Sequence, residues 1–172
     1  MLVLGLLGLL GAFMVPNLFK TNRSQERKQF IAQFEAFVKA TVMRSIVENR
    51  IHQIYIDIVH ESIQMRVYNS QSTEMNRHKQ FIQVKDSRYT TEMKFLKHYA
   101  IKNFYINGID EVVPGTIMQD VMFYSMPDGT SQAIIINIID QDEENAHQDA
   151  PLSIVINPFY ARISTSETFQ KP

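Results

Sequence analysis

The chain has 172 residues, enough for one globular domain plus an extra segment. Its 17 basic and 18 acidic residues leave a net charge of −1, which excludes the clear basic excess of a nucleic-acid binder. It has no cysteine, so disulfide frameworks and thiolate chemistry are excluded too.

The first nineteen residues, MLVLGLLGLLGAFMVPNLF, carry no charge. Within them Leu2 to Val15 is an unbroken apolar run. As a helix it would be only about 21 Å long, against a bilayer core of about 30 Å. Three readings compete. A cleaved signal peptide has an apolar core of this length, but no basic stretch precedes the run and no small-residue cleavage site follows it. A buried core helix would not favour Gly5, Gly8 and Gly11 at three-residue spacing, whereas a packed membrane helix does. A retained membrane anchor is therefore placed first. Lys20, Arg23, Arg27 and Lys28 follow the run, and by the positive-inside rule they would hold the rest of the chain in the cytoplasm. The length shortfall points instead to upstream residues carrying the opposing charges, so that Met1 falls inside a longer helix.

An amphipathic helix follows. Phe30, Phe34, Phe37, Thr41 and Val42 recur at three- and four-residue steps, with Ile31, Val38 and Ile46 widening the stripe. Gln29, Gln33, Glu35, Lys39 and Arg44 fill the opposite face. The helix is expected to end near Asn49–Arg50, with the stripe packed on a β domain. Pro16 is expected to kink the path from the apolar run into it.

From Ile51 the period changes to two. Ile54, Ile56 and Ile58 alternate with polar neighbours, His60-Glu61-Ser62 makes a turn, and Ile63, Met65 and Val67 resume, which predicts a β-hairpin. Residues 69–79 are polar and loop-like. Short strands are expected at 80–84 and 101–107. The segment from Val121 leads into Pro127-Asp128-Gly129, the strongest turn signal in the chain, and a strand from Gln132 to Ile139 is expected to complete a second hairpin. Gly108 and Gly115 read as isolated turn residues. An acidic loop covers Gln141 to Ala150, a strand covers Leu152 to Asn157, and Pro158 stops it. The tail from about Ser166 is expected to fray.

No catalytic pattern emerges. His52, His60, His78, His98 and His147 lack metal-type spacing. No nucleophile elbow or phosphate loop is present. Asp140, Asp142, Glu143, Glu144 and Asp149 lack the spacing and central glycine of a calcium loop, and a solvated loop is the simpler reading. No enzyme activity, cofactor or metal is expected. A membrane-tethered β-sandwich that binds a ligand remains the reading from another class, and it would need convergent polar groups in a pocket.

The apolar segment ending in A-F-M-V-P-N-L, the stretch RKQFIAQFEAFVKATVMRSIVENRIHQIYIDI, the turn FYSMPDGTSQAIIINI and the closing LSIVINPFYARI together resemble the type IV pilin-like proteins. They are most similar to an H-type minor pseudopilin of the type II secretion system. Gly8 and Pro16 stand where that family has a helix glycine and a kinking proline. The resemblance implies an α+β fold, with a long N-terminal membrane-anchored helix packed on an antiparallel β-sheet or sandwich. It implies three regions: 1–19 for membrane and filament core, 20–50 for the amphipathic half, and 51–172 for the β domain. Assembly would run through Leu2, Leu6, Gly8, Leu9, Phe13 and Pro16, and helix-to-sheet packing through Phe30, Phe34, Phe37 and Val42.

The implied partners are other minor and major pseudopilins, inner-membrane lipid and an inner-membrane assembly platform, with the β domain in the periplasm. A minor pilin of a type IV pilus or DNA-uptake filament would share the fold and the anchor, and the sequence does not separate the two. The prepilin peptidase signature and its glutamate are not in the chain, and would lie upstream of Met1. The family's glycine near the C-terminal end is replaced here by Tyr160-Ala161.

Overall fold

The computed structural model describes residues 2–70, 80–95, 97, 99–113, 115–116, 118–140, 151–159 and 161–172, with side chains from residue 25 onward apart from Asp140. It divides into two compact units, Met1–Gln33 and Phe34–Pro172. The first is the N-terminal stretch of helix α1 (Leu2–Glu48), whose helical backbone continues through Pro16. No helix is long and apolar enough to cross a membrane among the described residues.

Among the described residues, the second unit holds the last turns of α1 and ten strands in two antiparallel sheets, an α+β architecture. The first sheet runs β3 (Phe81–Gln83), β2 (Ser62–Tyr68), β1 (His52–Asp57), β7 (Asp120–Ser125), with β4 (Glu92–Lys94) also on β2. The second runs β10 (Ile163–Ser166), β9 (Leu152–Ile156), β8 (Ile134–Asp140), β5 (Tyr99–Ile106), β6 (Ile109–Asp110). Alternate residues of each sheet make the core. Ile54, Ile56, Ile63, Met65 and Phe123 come from the first sheet, and Phe104, Ile136, Ile138, Ile154 and Ile156 from the second. Phe104 and Phe123 bring the two sheets together, with ring centroids 6.3 Å apart.

Helix α1 stops where its backbone is capped. Asn49 takes φ +50°, the left-handed conformation that asparagine tolerates well. Its N–H bonds the Ile46 carbonyl (3.2 Å), and the Arg50 N–H bonds the Ser45 carbonyl (3.1 Å). These two bonds satisfy carbonyls that the helix end leaves open. The first hairpin forms, with a register that runs from His52 opposite Val67 to Asp57 opposite Ser62. Its turn lies at 58–61 where 60–62 was expected, so Ile58 falls in the turn, and the Asp57 carboxylate caps it by accepting from the His60 N–H (2.9 Å).

The second expected hairpin is corrected. The Pro-Asp-Gly turn forms, with Gly129 at φ +87° and the Met126 N–H bonded to the Thr130 carbonyl (2.8 Å). Its two arms share only the bridge Ser125–Ser131, and β7 and β8 then join different sheets. The ladder is interrupted because the Tyr124 N–H bonds the Gln132 side chain (2.9 Å), and the Ser131 N–H bonds the Pro158 carbonyl (2.7 Å). A tight hairpin does occur at Asn107-Gly108, where φ values of +50° and +89° give the two-residue turn between Ile106 and Ile109. Ala161 also adopts φ +48°, the left-handed backbone that glycine adopts freely.

The tail does not fray. Asn137, buried on β8, donates to the Gln170 carbonyl (2.9 Å) and accepts from the Gln170 N–H (3.2 Å). Ser153 Oγ donates to the same Asn137 oxygen (2.6 Å), and Lys102 Nζ lies 4.4 Å from the Phe169 ring centroid. Buried polar groups at the middle of the sheet need partners, and the tail provides them.

Candidate assembly surface

The helix-packing residues named from the sequence are all buried: Phe30, Phe34, Phe37 and Val42 are 4%, 1%, 2% and 7% exposed. Leu2, Leu6, Gly8, Leu9, Phe13 and Pro16 lie on the backbone of α1, and their side chains fall outside the described residues. Thr41 belongs to the buried stripe and returns its hydroxyl to the Phe37 carbonyl (2.8 Å). Ile46 does not belong to it. It is 44% exposed, because the stripe turns inward through Ser45 instead. Ser45 is fully buried, lies 3.0 Å from the Ser125 hydroxyl and donates to the Met126 carbonyl (2.9 Å). A serine inside an apolar stripe was the signal for this junction, and sequence reasoning passed over it.

Ile46, Met43 (61% exposed) and Val47 (78% exposed) give the last two turns of α1 a second apolar face. A surface helix normally turns a polar face outward. Beside this face lies a cleft of about 410 Å³. Ala40, Met43 and Val47 form one wall, fully buried Met65 lines it, and Tyr89 stands opposite on the 85–90 loop.

The cleft's rim is a chain of charges placed by two elements. Arg44 and Glu48, one turn apart on α1, pair through Arg44 Nε. Arg44 Nη2 also reaches Asp86 Oδ2 (3.2 Å). Arg88 grips Asp86 with Nε and Nη2, both at 3.1 Å. The Arg88 side chain and N–H hold the Asp86 carboxyl down at about 2. The far end of the chain is His52, fully buried at the start of β1. Its Nδ1–H donates to the Arg50 carbonyl (3.1 Å). Burial holds the imidazole below its ordinary value, so Nε2 faces the Glu48 carboxylate at 3.3 Å as a lone pair without a donor.

The remaining histidines form no site. His60 sits on the exposed first turn, 2.8 Å from Asp57, and His78, His98 and His147 lie outside the described residues. Among the described residues, no group of three or more His, Asp or Glu side chains is placed to hold a metal. The acidic loop 141–150 also lies outside them.

No family model and no curated relative matches the sequence. Solved structures do match the fold. One structure of the minor pseudopilin EpsH from the type 2 secretion system of Vibrio cholerae aligns at TM-score 0.55 and 11% identity, covering 80% of this chain and 93% of that one. A second EpsH structure aligns at TM-score 0.52 and 9% identity, covering 78% and 88%. The chain has the fold of a minor pseudopilin. At this identity the likeness speaks for the fold alone. What the minor-pseudopilin fold places here is an N-terminal helix, two sheets, and an apolar helix face beside a neutralised cleft.

Proposed function

We propose that this chain is a non-enzymatic structural subunit of a type II secretion pseudopilus. The observation that carries the reading is the fold match to EpsH over nearly all of that protein's described length. In this reading residues 1–19 anchor the chain in the inner membrane and then pack into the filament core, through Leu2, Leu6, Gly8, Leu9, Phe13 and Pro16. Residues 20–50 carry the Phe30, Phe34, Phe37 and Val42 stripe that seats the helix, and residues 51–172 stand in the periplasm. Its partners are other minor and major pseudopilins, inner-membrane lipid and the assembly platform, and its place is near the filament tip. Packing is the chain's chemistry in this reading.

In-frame deletion of the gene, followed by export assays and membrane fractionation of the restored chain, tests the reading. Retention of secreted enzymes in the periplasm, together with alkali-resistant recovery in the inner membrane, is expected. Undiminished export with loss of surface pili or of DNA uptake would move the chain to the related filaments. Undiminished export with neither defect would overturn a filament role.

A further inference from the structure

We infer that His52 and Glu48 form a one-proton clasp across the end of α1: on acidification a proton settles on His52 Nε2, which then donates to Glu48 Oε2 and joins β1 to the charged chain beside the cleft. This inference stands on groups within the second unit and does not require the secretion reading.

The site is one hydrogen short. His52 is fully buried, and each of its ring nitrogens faces an oxygen that only accepts. Nδ1 lies 3.1 Å from the Arg50 carbonyl, and Nε2 lies 3.3 Å from Glu48 Oε2. A neutral imidazole carries a single N–H, so it satisfies one of these oxygens and sets a lone pair against the other. The imidazolium donates from both nitrogens and satisfies both. At 3.3 Å the Nε2 contact is longer than a charge-assisted bond of about 2.7–2.9 Å, and Nε2 has no hydrogen-bond partner as it stands. A proton there draws the two groups together across the Asn49 cap.

The groups around the ring decide when that proton enters. Burial weighs most and holds the imidazole below its ordinary value of 6.5. The Arg50 carbonyl and the Glu48 carboxylate favour the proton, while the charges of Arg44 and Arg50 oppose it. From the neighbouring strands Val67 of β2 and Ser125 of β7 stand opposite His52, and neither titrates. Asp86, on the 85–90 loop, acts on the ring through its ion pair with Arg44.

Solvent does not reach the ring, but the Glu48 side chain is 29% exposed. The proton therefore leaves hydronium for the carboxylate and passes on to Nε2, and the charge of the pair goes from −1 to zero. Because the buried ring resists its proton, the unfolded chain takes one first as the pH falls. The stability that goes with the neutral ring is present above about 6.5, and is lost as the pH falls through the lower folded value. The clasp closes over that same window, so Glu48 limits a loss that burial alone would make larger.

Nitrogen NMR of the imidazole rings, recorded on the full chain in detergent micelles from about pH 8 downward, tests this across the range where histidine changes charge. His52→Gln identifies the His52 signals by their loss. At the alkaline end the hydrogen is expected on Nδ1, with Nε2 bare. Acidification is expected to add a hydrogen at Nε2, with a midpoint below 6.5. Glu48→Gln keeps the shape and removes the charge, and is expected to weaken proton binding about tenfold, a fall of about one pH unit in the midpoint. Arg44→Gln takes a cation from beside the ring and is expected to move the midpoint the other way. Thermal unfolding checks the fold of each variant, and the wild-type titration stands without them. A hydrogen already on Nε2 at the alkaline end would overturn the inference. So would a ring that takes no proton before the chain unfolds, or midpoints that Glu48→Gln and Arg44→Gln leave unmoved or shift in the same direction.

Discussion

Asn137→Ala is the sharpest test of how the second sheet is closed. The side chain is 1% exposed and makes three hydrogen bonds: one from Ser153 (2.6 Å), and two with the Gln170 main chain (2.9 and 3.2 Å). Alanine removes all three. It leaves the fully buried Ser153 hydroxyl with no acceptor there, and releases the tail that covers the site. Each net bond is worth about 0.5–1.5 kcal/mol, and a buried group left unpaired costs about 1–3 kcal/mol. Water entering under the released tail offsets part of this, so a loss of about 2–4 kcal/mol is expected. For a chain of this size that lowers the melting temperature by roughly 4–16 °C, at about 2–4 °C per kcal/mol.

The assay is urea unfolding of the full chain, joined to amide hydrogen exchange at 167–171. Faster exchange there is expected to accompany the lost stability. Removing residues 168–172 is expected to destabilise by a similar amount, and the double variant by much less than the sum, because both changes break one network. A loss under about 0.5 kcal/mol, below the usual cost of even one unpaired buried group, would refute the reasoning. So would additive effects, which would show that Asn137 and the tail act separately.

Three further outcomes follow from the same geometry. Ser45→Ala removes the helix's hydrogen bonds to Ser125 and Met126 and leaves the Ser125 hydroxyl buried, so chemical denaturation is expected to show a loss of about 1–2 kcal/mol. Gly129→Ala forces a side chain onto a backbone at φ +87°, with its Cβ 3.2 Å from Ile46 Cδ1. A loss of about 1–2 kcal/mol is expected in thermal melts, and Ile46→Ala is expected to relieve only the contact part of it. Asp86 has its carboxyl lowered to about 2, so its ionised form favours the fold. The stability it contributes is present above the unfolded value of about 3.9 and is lost as pH falls toward 2. The stability gap between wild type and Asp86→Asn at pH 7 is therefore expected to close between about pH 4 and pH 2, read from denaturation curves across that range.

Where a signal was local, the sequence carried it. The three- and four-residue apolar steps over 30–42, the end of that pattern near Asn49–Arg50 and the two-residue alternation from Ile54 to Val67 each involve groups a few residues apart. Backbone geometry then narrows the answer: the helix ends near Asn49 as expected, and the first hairpin forms with its turn at 58–61 rather than 60–62. The resemblance to pilin-like proteins rested on the same local layout, and so reached the fold.

Only the tertiary structure decided the rest, because it turned on partners far away in the chain. Pro127-Asp128-Gly129 specifies a turn, but not whether its arms stay together. The Gln132 side chain and the Pro158 carbonyl draw them into separate sheets. Ile46 has the spacing of a core residue, yet Ser45 is the one that meets Ser125, so the helix rotates Ile46 outward. The polar tail looks disposable until Asn137, more than thirty residues earlier, is found buried and needing it. The cleft is likewise a product of assembly, since Arg44 on α1 and Asp86 on a loop become a neutral rim only when the fold brings their charges to 3.2 Å. Periodicity reports which face of an element is apolar. It does not report which distant groups will compete for that face's hydrogen bonds, and here that competition set the sheet order, the tail and the cleft.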